Sequence, residues 1–106
     1  MNDQSIFMAG YNAGANTNHP MDAFTMSQYA EDFKLGYIVA LAELHSVRCA
    51  SPAAAGVEAA EMGQKYGVAY QSLAPYFDDP DNPDVLYALY SGYGLTDEGE
   101  YEKEEA

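Results

Sequence analysis

This chain of 106 residues has little cysteine and little positive charge, and each shortage excludes something. Cys49 stands alone, so no intramolecular disulfide can form and nothing points to an oxidising compartment. Four basic residues face 17 acidic ones, for a net charge of −13. A chain so anionic repels nucleic acid and membrane surfaces and attracts basic protein surfaces. No stretch reaches the roughly 18 apolar residues of a membrane span. The N-terminus carries Asp3 and no basic residue, unlike a secretory signal. A cytoplasmic protein is the expectation. The short motifs of phosphate cradles, nucleophile elbows, zinc hydrolases and dithiol enzymes are all missing. The reading is therefore of a protein that is not an enzyme and uses no cofactor.

What is present is unevenly placed. Residues 1–76 hold seven acidic and three basic residues, whereas residues 77–106 hold ten acidic residues and Lys103. The first stretch is near −4 and the second near −9. The expected organisation is a helical domain over 1–94 followed by an acidic tail over 95–106. An apolar fraction of 48%, much of it Ala and Tyr, supports a folded, closely packed core.

The periodicity is helical throughout, and no run of alternating β-branched residues occurs, so the fold class is all-α, a compact bundle of about four helices. Residues 3–15 read as a first helix capped by Asp3, with Phe7, Gly10, Tyr11 and Gly14 on one face. Two glycines in so short a helix imply close approach of another backbone. Asn16 to Pro20 is turn chemistry. From Thr25 to about Val47 a long stripe predicts a second helix, and Leu35, Ile38, Val39 and Ala42 make it apolar on nearly every side, hence central. Ser51-Pro52 predicts a cap and restart, with a third helix running to about residue 73 and ending before Pro75. Asn82-Pro83 repeats that arrangement for a fourth helix through about Ser91, stopping at Gly92 or Gly94.

Few constellations carry chemistry. His45 and Cys49, four apart, could face one ligand, but two ligands do not make a zinc site. A helix-end histidine beside a small buried thiol is the plainer reading. The segment Asp78 to Asp84 has the acid density of a calcium loop, but Asp84 and Tyr90 stand where glycine and glutamate are needed. Glu58 with Glu61, and Glu31 with Asp32, read as a solvated face. Tyr11, Tyr29, Tyr37 and Tyr66 read as core residues with hydroxyls at the rim. Tyr87, Tyr90, Tyr93 and Tyr101 lie among carboxylates, where amphipathic rings suit either packing or a face for Arg-rich protein.

Residues 9–40 carry a further pattern: Ala9-Gly10-Tyr11-Asn12-Ala13-Gly14-Ala15, then Asn18-His19-Pro20, then Asp32-Phe33-Lys34-Leu35-Gly36-Tyr37. This resembles the ribosome modulation factor family, a two-helix hairpin with small relatives in phage genomes. The resemblance implies that Gly10 and Gly36 let two helices cross closely. That family is basic and binds ribosomal RNA, whereas this segment sets Asp22, Glu31 and Asp32 against Lys34, so RNA binding is not carried over.

The working expectation is a small acidic interaction protein, similar in type to phage or mobile-element inhibitors of restriction or CRISPR machinery. It would occupy the basic surface of a host nucleic-acid-binding protein by mimicking DNA. The expected partner-binding residues are Asp78, Asp79, Asp81, Asp84, Tyr87, Tyr90, Tyr93, Asp97, Glu98, Glu100, Tyr101, Glu102, Glu104 and Glu105. One alternative is an assembly subunit that forms a homo-oligomer through Gly- and Ala-rich helix faces. Another is a ribosome-associated factor.

Overall fold

Glycine decides where these helices can touch. In the computed structural model, which describes residues 4–94, the first helix is Gln4–Ala15 (α1) and it lies across Glu31–Cys49 (α3). A methyl group on Gly10 would overlap the Phe33 carbonyl oxygen, and one on Gly36 would overlap the Phe7 carbonyl oxygen. A methyl on Gly14 would sit 2.7 Å from the Tyr37 carbonyl oxygen. The two backbones therefore meet directly, as the resemblance implies for Gly10 and Gly36. The contacts advance in step, Gly10 at Phe33 and Gly14 at Tyr37 and Ala40, so both helices run in the same sense. This is not a tight hairpin. The connecting residues 16–30, which include the short helix Ala23–Met26 (α2), carry the chain back to the start of α3.

The second half repeats the plan with Ala53–Tyr66 (α4), Tyr70–Phe77 (α5) and Pro83–Gly92 (α6). Gly56 meets the Val85 carbonyl oxygen and the Leu89 nitrogen, while Gly92 meets Ala60, so α4 and α6 also advance in step and α5 returns the chain. A three-residue turn joins the halves, and α3 packs on α4. One cluster of apolar side chains runs through both, with Tyr37, Ile38, Ala42, Ala59, Leu73 and Leu89 all essentially closed to solvent. Every residue of α3 from Leu35 to Ala42 is buried, so the central helix is the expected one. The all-α class holds among the described residues, with six helices rather than four.

The two extra helices come from breaks that the apolar stripe conceals. The long second helix expected from Thr25 divides, because the Asp22 carboxylate accepts a hydrogen bond from the Thr25 amide at 2.7 Å and starts α2 early. Ser27 Oγ then donates to the Phe24 carbonyl, and Ala30 is extended, so the chain re-enters a helix only at Glu31. The stripe survives the break because Met26 stays buried and Tyr29 stacks on Phe33 at 4.1 Å. The expected third helix ends at Tyr66 instead of residue 73. Gly67 takes φ +73°, and the Val68 amide reaches back to the Gly63 carbonyl at 2.8 Å. Pro75 lies inside α5 rather than beyond it. Its missing N–H removes the bond that the Gln71 carbonyl would accept from position 75, and the helix stops two residues on.

Two expected caps take other forms. Pro52, not Ser51, occupies the cap place of α4, with the Ala55 amide bonded to its carbonyl. Asn82 precedes α6 as expected, but its side-chain amide donates to the Asp79 carboxylate at 3.2 Å instead of capping the helix. The Asp3 cap and the tail over 95–106 lie outside the described residues.

Candidate functional site

Tyrosine hydroxyls fix the frame on which a surface can be built. Tyr37 and Tyr66, from α3 and α4, meet edge to face at 6.0 Å between ring centres. Both hydroxyls close on one residue of the return loop: the Met21 amide donates to Tyr37 Oη at 2.8 Å, and Tyr66 Oη donates to the Met21 carbonyl. Burial holds the Tyr66 hydroxyl far above its ordinary titration range, with the neighbouring Tyr37 adding to the effect. In the second half Tyr93 Oη donates to the Val68 carbonyl at 2.6 Å, and burial raises its pKa as well. Tyr93 is thus a packing residue, and its ring meets the edge of Tyr70 at 6.0 Å. Tyr90 also packs on Tyr70, at 5.5 Å. Of the described tyrosines expected on an anionic face, Tyr87 is the one presented to solvent, at 64% exposure. Tyr29, expected as a core residue, is exposed on one side of its stack.

The carboxylates of the α5–α6 connection divide by role. Asp79 shapes the loop: its Oδ1 accepts from the Asp81 amide at 3.0 Å while its Oδ2 accepts from Asn82. Asp78, Asp81 and Asp84 are exposed. Asp97, Glu98, Glu100, Tyr101, Glu102, Glu104 and Glu105 lie outside the described residues.

Folding adds partners that the sequence does not place beside this loop. Three open grooves lie around α5 and share its residues. One, of about 210 Å³, is rimmed by Glu43 and Asp79 and floored by Val39, Ala55, Phe77 and Val85. A second is lined by Glu31 and Asp32 together with Gln71, Pro75 and Tyr76. The third is edged by Asp78 beside Tyr70 and Leu86. The first two meet at Tyr76, and the second and third share Gln71 and Pro75, so the surface is continuous. It displays five carboxylates and not one lysine, arginine or histidine among its lining residues. Glu31 and Asp32 read as ordinary solvated charge in the sequence; the packing of α5 against α3 is what makes them part of a face.

Tyr76 stands at the centre, its ring stacked on Phe7 at 5.2 Å, which fixes the plane. Glu43 is oriented by Tyr11, whose hydroxyl donates to Glu43 Oε1, and that bond to a carboxylate pushes the Tyr11 pKa up. Two cations are engaged away from these grooves. Lys65 lies over the Tyr66 ring at 5.6 Å, and Arg48 is near Glu58, whose carboxyl burial pushes above its ordinary range.

Other candidates are weaker. Cys49 is exposed rather than buried, with its Sγ 3.6 Å from His45 Nε2. No group of three or more His, Cys, Asp or Glu that could hold a metal ion occurs among the described residues. Nor is any described helix long and apolar enough to cross a membrane. The Gly faces proposed for self-assembly are occupied within the chain, by α1 on α3 and α4 on α6.

No curated protein and no solved structure matches this chain, and the comparisons give no link to ribosome modulation factor or to phage inhibitors. One family model does match, over residues 1–95, and the chain therefore belongs to the family described as Protein of unknown function (DUF2623).

Proposed function

We propose that this protein is a binding module that holds a basic protein segment against the face built around α5. The observation that carries the reading is the run of three joined grooves with five carboxylates and no cationic side chain. Like charges gathered on one face repel one another, and an incoming Lys- or Arg-rich segment relieves that repulsion while releasing its own counterions. The exposed Asp81 and Asp84 extend the field beyond the grooves and favour encounter, and Tyr87 offers an amphipathic ring in the same segment. The partner envisaged is the basic surface of a nucleic-acid-binding protein in the same cytoplasm. Mimicry of DNA is the stricter form of the proposal. Asp78 and Asp81 in the loop and Asp84 in the first turn of α6 do not make a ladder of phosphate spacing, so the stricter form depends on residues 97–105.

The test is a titration of a labelled peptide rich in arginine and lysine, followed by anisotropy at rising salt. Affinity is expected to fall steeply with salt, and to be largely lost in a variant carrying Glu31→Gln, Glu43→Gln, Asp78→Asn and Asp79→Asn. Binding that ignores salt, or survives in that variant, would overturn the reading.

A further inference from the structure

We propose that the groove between Glu43 and Asp79 is a seat for one arginine side chain of the partner. This rests on the reading of the α5 face as a binding surface and names the chemistry of its anchor. The volume of about 210 Å³ suits a single long side chain rather than a helix or strand. Its floor of Val39, Ala55, Phe77 and Val85 is apolar, as the methylene stem of such a side chain requires. The rim carries carboxylates from two distant parts of the chain, Glu43 on α3 and Asp79 in the α5–α6 loop.

Both carboxylates are held in place before any partner arrives. Tyr11 donates one hydrogen bond to Glu43, while the Asp81 amide and the Asn82 side chain donate to Asp79. A carboxylate offers about four acceptor positions, so each keeps positions for a further donor. A guanidinium, flat and bearing five N–H groups in a fixed fork, has donors enough for both carboxylates. It can also lie along the ring of Tyr76, which lines the same groove with its plane set by Phe7. An ammonium group has neither the fork nor the flat face, and it is more strongly hydrated. Arginine is therefore preferred over lysine.

The experiment compares two short peptides, one alternating arginine with glycine and one alternating lysine with glycine, against the full chain. Anisotropy gives affinity, and methyl NMR shifts at Val39 and Ala55 give location. The arginine peptide is expected to bind about fivefold more tightly and to move both methyl groups. Glu43→Gln should weaken arginine binding about tenfold and erase the preference, with an unchanged thermal midpoint because Glu43 is exposed. Tyr11→Phe, which frees Glu43 to swing, should cost about threefold. Equal binding of both peptides, with Glu43→Gln silent, overturns the arginine seat and leaves the anionic binding face standing. Failure of both peptides to bind at low salt overturns the seat and the binding face together.

Discussion

At the α1/α3 crossing, glycines on both helices meet the backbone of the other, Gly10 at Phe33 and Gly36 at Phe7. At the α4/α6 crossing one glycine meets backbone, Gly56 at Val85, while Gly63 meets the hydroxyl end of Tyr93 and Gly92 meets the side chain of Ala60. The same plan, two long helices in one sense with a short helix between, is thus packed to different tolerances. Carbonyl oxygens anchored in a helix cannot retreat, whereas a side-chain tip can. The first crossing should be the rigid half and the second the adaptable one, and the second is the half that contributes α5 and the acidic loop.

The largest expected effect separates the halves. Gly36→Ala should destabilise by about 2 to 3 kcal/mol, because the overlap with the Phe7 carbonyl exceeds the helix-propensity gain of about 1 kcal/mol. Gly63→Ala should cost about half as much, since Tyr93 can swing away at the expense of its bond to Val68. Urea unfolding of both variants checks the order, and equal losses would break the comparison.

Next come the tyrosine ties. Tyr66→Phe removes the donor to the Met21 carbonyl, and Tyr93→Phe removes the donor to the Val68 carbonyl. Each should cost about 1 kcal/mol. Amide hydrogen exchange should loosen residues near Met21 in the first variant and near Val68 in the second.

Smaller still are the helix ends. Ala50 closes α3 at φ 54°, a left-handed conformation costly for a residue with a Cβ, whereas Gly67 closes α4 at φ 73°. Ala50→Gly should stabilise by about 0.5 kcal/mol and Gly67→Ala should destabilise by about 1 kcal/mol. Thermal midpoints moving in opposite directions would confirm the pair.

The halves also differ in the sign of their pH response. Hydrogen bonding to Thr25 holds the Asp22 carboxyl below its ordinary range, so that stability is lost as pH falls through the lowered value. Burial raises the Glu58 carboxyl, so its folded form binds a proton more tightly than the unfolded chain does, and stability declines as pH rises through that window. Glu58→Gln should flatten the decline and gain less than about 1 kcal/mol at neutral pH, given its partial exposure. Urea midpoints measured across the acidic range test both signs.

The glycine crossing of α1 and α3 was legible because Gly10, Gly14 and Gly36 sit on the same faces as Phe7, Tyr11, Phe33 and Tyr37. The buried α3 was legible from its all-round apolar pattern. The breaks at 27–30 and at Gly67 were not, because Met26 and Tyr29, then Val68 and Leu73, keep the periodic positions occupied across each gap. A stripe records burial, not continuity. The sense in which paired helices run was hidden too, since glycine spacing is the same either way. The α5 face was invisible for a plainer reason: Glu31, Asp32 and Glu43 come near Asp78 and Asp79 only through the packing of α5 on α3.

The most direct measurement compares two charge-neutralised variants for binding of an arginine-rich peptide at low salt. One replaces Glu31, Asp32, Glu43, Asp78 and Asp79 by their amides; the other removes the same number of carboxylates by treating Asp22, Glu58, Glu61, Asp81 and Asp84 likewise. Affinity should fall by more than about tenfold in the first and by a few-fold at most in the second. Equal losses would mean that net charge alone attracts the peptide, and the α5 face would then have no special role.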